Sequence, residues 1–139
     1  MSTKTRPELA RKNKYWMEKH RYYELKHFCL QYPIWKKAYQ EIDGLSKTAS
    51  SALSYTKGGD VSDPTERAAE TLIFLSDRME MIEKVCLMAD EVLAPYILKA
   101  VTEERSYEYL RVNLNIPCGK DSYYELYRKF FWLLDKERK

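Results

Sequence analysis

Apolar residues recur at helical spacing along most of the chain, and the breakers between them mark out the expected helices. A first helix is expected behind Asn13, a good N-cap, and runs to about Tyr32. Trp16, Tyr23, His27 and Leu30 form its apolar stripe, with Lys and Arg between them. Pro33 ends that helix, because it disfavours helical backbone at Tyr32 and lacks a donor, and it opens the next one. The second, short helix carries Ile34, Trp35, Ala38 and Ile42, and Asp43-Gly44 stops it. Residues 1–45 thus read as an N-terminal helical hairpin behind a polar, frayed start.

Residues 46–62 change to Ser, Thr, Ala and Gly, with a Gly58-Gly59 pair, and read as a flexible linker. Asp63-Pro64-Thr65-Glu66 then makes a strong helix start, with Asp63 as cap, Pro64 at the first position and Glu66 closing a capping box. Behind it Leu72, Leu75, Met79, Ile82, Cys86, Ala89 and Leu93 step alternately by three and four. Such a seam suits either packing within the domain or a coiled-coil homodimer through Leu72, Leu75, Met79 and Ile82. Ile73, Phe74 and Val85 widen the stripe, which favours packing within the domain.

Residues 63–139 are expected to form a helical domain. In its last third a short helix fits Val92 to Thr102, with Pro95 in its first turn. Ser106 caps a second helix from Tyr107 to about Val112. After Asn113-Leu114-Asn115-Ile116-Pro117 comes a long helix from about Asp121 to Lys136, with Ser122 and Glu125 in capping-box spacing. Tyr123, Tyr127, Phe130, Phe131 and Leu134 share its inner face. Three helices in this order, the last two joined by a tight turn, outline a helix-turn-helix over about residues 92–136. The outer face of the last helix presents Lys120, Asp121, Tyr124, Glu125 and Arg128, with Lys129 at its margin. Donors there suit phosphates and base edges, and the helix N-terminus itself attracts phosphate.

Composition narrows the class. The chain has 139 residues, 45% of them hydrophobic and 32% charged, with only 4 Gly and 5 Pro, so an all-α globular chain is expected and a turn-rich β-sandwich is not. No apolar run reaches the length of a membrane span and the N-terminus is charged, which reads as a cytoplasmic protein without a signal peptide. Three unpatterned cysteines, Cys29, Cys86 and Cys118, read as free thiols. The net charge of +3 hides an asymmetry: residues 1–41 balance at +6, residues 42–66 at −2, residues 67–104 at −4 and residues 105–139 at +3. Basic ends suit a polyanion. The 12 Tyr, 4 Phe and 3 Trp concentrate in those same ends. Such rings can stack on bases, but filling helical seams is their commoner use.

The stretch from Val101 to Leu110, then Ile116 to Tyr124 and Arg128 to Leu134, resembles the RinA/ArpU-type transcriptional regulators of phages and prophages. The Asp63-Pro64-Thr65 helix start and the acidic central helix are similar too. The likeness covers about residues 62–139 and extends loosely to the N-terminal hairpin. It implies a helix-turn-helix like that of sigma-factor region 4, acting in the bacterial host cell on double-stranded DNA and with host RNA polymerase. Carried over, it makes residues 106–112 the support helix and residues 120–136 the recognition helix. The candidate DNA-binding residues are then Lys120, Ser122, Tyr124, Arg128, Lys129, Arg105 and Arg111. Pro117-Cys118-Gly119 makes an unusual turn for this family, and Glu125 puts a carboxylate in the presumed DNA face.

Other chemistry finds little support. His20 and His27 lie seven apart, but the paired cysteines of a zinc site are absent, and no metal or cofactor is expected. Cys118, ahead of a helix start and near Lys120, is placed to have a lowered thiol pKa, but no His lies nearby as its base. Phosphate loops, nucleophile elbows and paired catalytic carboxylates are missing, so an enzyme is not expected. Two other functions fit the pattern: a small terminase-like DNA-packaging recognition subunit, and a non-DNA-binding adaptor or inhibitor acting through the acidic heptad helix.

Overall fold

The computed structural model describes residues 13–53 and 62–139, with side chains for residues 13–45 and 65–139. The described residues form six helices and no strand: α1 (Lys19–Leu30), α2 (Tyr32–Leu53), α3 (Ser62–Ala89), α4 (Ala94–Glu103), α5 (Tyr107–Leu114) and α6 (Lys120–Glu137). None is long and apolar enough to cross a membrane. The chain divides into two compact units, one of residues 1–31 with 81–139 and the other of residues 32–80. That division runs between α1 and α2 and through α3; of the expected linker at residues 46–62, residues 46–53 continue α2 and residues 54–61 lie outside the described residues. Within the first unit α1 packs on α4 and α6.

The first unit is built around α6. Phe130, Phe131 and Leu134 are fully buried, with Tyr123 and Leu126 nearly so. Against them α1 turns Tyr22, Leu25, Phe28 and Cys29 inward, while α4 contributes Ile97, Ala100 and Val101. From the end of α3 come Ile82, Cys86 and Ala89 of the expected seam, together with Val85 beside it. Tyr22 links the layers: its ring meets Phe131 edge-on at 5.1 Å, and its hydroxyl lies 2.7 Å from that of Tyr127. Arg21 ties α1 to the end of α6 through Asp135 Oδ1 (2.6 Å) and the backbone carbonyl of Arg138.

Several elements differ from the sequence expectation. α1 begins six residues after Asn13, because the Asn13 side chain accepts from the Tyr15 N–H and turns the chain, and Glu18 supplies the true cap to the Arg21 N–H. Its buried face is also a different one. Trp16 and His27 are exposed and Tyr23 and Leu30 half-buried, since packing on α4 and α6 selects the face holding Leu25 and Cys29. In the second unit α2 runs through Gly44 to Leu53. A helical glycine costs about 1 kcal/mol relative to Ala, which weakens a helix without ending it. The Gly58-Gly59 pair and the caps proposed at Asp63 and Pro64 fall outside the described residues or side chains. Among the described residues of this unit Tyr32, Trp35 and Leu75 are the buried apolar ones, while Ile73 (59% exposed) and Phe74 (51%) face solvent. Of the four residues of the possible dimer seam, Leu75 and Ile82 are buried within a single chain, and Leu72 and Met79 are half-buried.

Candidate nucleic-acid interface

α4, α5 and α6 follow one another with short connections, and α4 packs on both of its successors. Glu104 ends α4 in the left-handed region (φ 56°), and Asn115 ends α5 in the same way. Asparagine tolerates that conformation well. The Ile116 N–H reaches back to the Leu110 carbonyl at 3.2 Å, closing the α5 terminus. Ser106 caps α5 as expected, accepting from the Tyr109 N–H at 3.1 Å.

Residues 115–119 then turn the chain into α6. Tyr107, the first residue of α5, donates its hydroxyl to the Cys118 carbonyl at 2.8 Å, and its ring lies 5.4 Å from that of Tyr123. These two contacts set the angle between α5 and the start of α6. α6 is capped by Gly119 in extended backbone (φ −80°, ψ 170°), not by the Ser122–Glu125 pair, which lies inside the helix. The Tyr123 N–H bonds the Gly119 carbonyl at 3.0 Å, so the helix starts at Lys120. Gly119 has no side chain with which to occupy the free N–H groups of the first turn.

The seven candidate residues fall into two groups. Lys120 and Ser122 are exposed in the first turn of α6, and Lys120 and Lys129 form no ion pair among the described residues. The Lys120 ammonium sits 5.8 Å from the Tyr124 ring centre. Each of the three arginines, by contrast, has a glutamate beside it. Arg111 meets Glu108 at 2.9 Å, Arg105 meets Glu103 at 3.5 Å while covering the Tyr109 ring, and Arg128 meets Glu125 at 3.5 Å. The bond from Arg111 holds the Glu108 carboxyl below its ordinary range, and the charge of Lys120 adds to that. α5 and the start of α6 therefore share one electrostatic neighbourhood.

Arg128 differs from the other two. Its side chain is only 24% exposed, against 42% for Arg105 and 56% for Arg111, and its buried Nε has no hydrogen-bond partner. Charge and spacing in the sequence marked the basic residues and Glu125, but not Glu108 and Glu103 as partners of Arg111 and Arg105; Glu108 and Glu125 each lie three residues from their arginine on the same helix face. Cys118 behaves as a turn residue rather than as an activated thiol. Partial burial, with the nearby Asp90 charge, pushes its thiol pKa up rather than down.

Burial pushes the Cys86 thiol up to about 12 and the Cys29 thiol well above the ordinary range. It does the same to the hydroxyls of Tyr123 and Tyr127. All four groups stay neutral and serve the core of the first unit. Among the described residues no cluster of three His, Cys, Asp or Glu side chains could hold a metal ion. No family model, no characterised protein and no solved structure matches the chain.

Proposed function

We propose that the protein binds double-stranded DNA sequence-specifically through α5 and the first half of α6, as a phage-type transcriptional regulator of the RinA/ArpU kind. The observation that carries this reading is the start of α6. Its first-turn N–H groups have no side-chain cap, and beside them stand an exposed serine and a lysine without an ion pair. Such a terminus takes a phosphate oxygen through its N–H groups and dipole, with Lys120 adding a full charge. Ser122 and Tyr124 then point the same helix turn toward base edges, and Arg105 just ahead of α5 and Arg111 on α5 contact the flanking backbone.

The glutamates beside these arginines are compatible with that role. Exposed ion pairs contribute only about 0–1 kcal/mol, so a phosphate can replace Glu108 or Glu103 at little cost. Contact with host RNA polymerase belongs to the same reading, as does a terminase-like recognition subunit as its nearest variant. Exposed Ile73 and Phe74 on α3 favour a second reading, in which that helix docks a protein partner and the chain is an adaptor.

The test is Lys120→Glu. The side chain is exposed, so the variant should fold normally. Its affinity for duplex DNA at low salt should fall about tenfold or more, the order of one charged contact reversed. Equal affinity of the two proteins would remove α6 from the interface.

A further inference from the structure

Residues 13–18, ahead of α1, are held against the outer face of α6. The Asn13 side-chain amide donates to Glu125 Oε2 at 3.4 Å, and the Tyr15 ring meets Trp132 edge-on at 5.4 Å. Met17 is buried and anchors the segment just before Glu18 caps α1. Glu125, Arg128 and Trp132 form one stripe of α6, stepping by three and four, so the segment touches that stripe on both sides of Arg128.

We propose that this N-terminal strap is an autoinhibitory cover over the Arg128 stripe, displaced when duplex DNA binds. The proposal rests on the DNA-binding reading above and adds its regulation. Arg128 is the one candidate arginine that is largely covered, and its Nε is buried without a hydrogen-bond partner. The carboxylate that pairs with it also accepts from Asn13, so one glutamate holds both the strap and the arginine. In that state the guanidinium is paired with Glu125 and its side chain is only 24% exposed. A DNA phosphate offers Arg128 a better acceptor than a shared carboxylate at 3.5 Å. Once Arg128 turns outward, Glu125 loses its cation and the start of the strap lifts from Glu125 and Trp132. The buried Met17 then acts as the hinge, and Lys14, exposed on the strap, is drawn toward the DNA charge.

The test compares the full chain with an Asn13→Ala/Tyr15→Ala double variant, binding a fluorescent mixed-sequence duplex at about 50 mM salt. Removing the cover should tighten binding about threefold or more, because the open state no longer has to be populated against the strap. Unchanged or weaker affinity in a folded double variant would overturn the cover while leaving DNA binding intact. A second readout uses the unaltered protein. The nuclear Overhauser effect between the Tyr15 and Trp132 rings should disappear at saturating duplex, and its persistence would overturn the proposal even if the double variant failed to fold. Binding by neither protein would overturn the DNA-binding reading itself, and the cover with it.

Discussion

The hydroxyl of Tyr107 donates to the Cys118 carbonyl at 2.8 Å, so the first residue of α5 fixes the turn from which α6 departs. The donor is buried and the acceptor belongs to a half-buried turn, and no helix hydrogen bond could serve in its place. Tyr107→Phe keeps the ring on Tyr123 and removes only this bond. It should lower stability by about 0.5–1.5 kcal/mol, read as a shift in the urea midpoint at constant slope. An unchanged midpoint would mean that ring packing alone holds the turn.

The core of the first unit and the exposed face of α3 should respond very differently to truncation. Phe130→Ala, in a fully buried position at the centre of α6, should cost about 3–5 kcal/mol. Ile73→Ala, on an exposed face, should stay within about 0.5 kcal/mol. Equal losses in thermal or urea unfolding would place Ile73 in an interface between copies.

The three thiols should separate by reactivity. Cys29 and Cys86 are buried with raised pKa values, and Cys118 is half-buried. At pH 8 the folded protein should release one equivalent of colour with a thiol-exchange reagent, and two more only on unfolding. Cys118 should itself react more slowly than a free cysteine, because its pKa is also raised. Three fast equivalents would contradict the packing of α1 on α6.

The same thiols predict an alkaline limit. A folded pKa raised above the unfolded one stabilises the native state fully below the unfolded value, and that contribution fades as pH rises through the folded value. For Cys86 the window runs from the ordinary thiol range near 9.0 to about 12. Urea midpoints should therefore decline from pH 9 upward, and Cys86→Ala should flatten that decline. A pH-independent midpoint across this window would show that Cys86 is not buried as described.

Much of the last third of the chain was legible because its signals are local. Ser106 needed only an N–H three residues on to be a cap. Pro95 fits only a first turn, and the inward set Tyr123, Phe130, Phe131 and Leu134 repeats at the helix period. Non-local choices were hidden. α1 carries aromatic residues on several sides, so periodicity alone could not select Leu25 and Cys29 over Trp16 and His27 as the buried face. The packing of α4 and α6 made that selection. α6 starts at Lys120, within one residue of the expected start, but its cap is Gly119 in extended backbone rather than the Ser122–Glu125 box that the spacing suggests. At the candidate interface, charge in the sequence marked Lys120 and Arg111. What separates Arg128 from them is the strap at Asn13 and Tyr15, more than a hundred residues away in the chain.

The most direct test of sequence-specific DNA binding is selection from a randomised duplex pool, with the selected sequences measured again at about 50 and 200 mM salt. The account predicts one enriched motif whose affinity falls about tenfold or more between the two salts, as expected for several phosphate contacts released together. No retained duplex at either salt would contradict it and turn attention to a protein partner for α3.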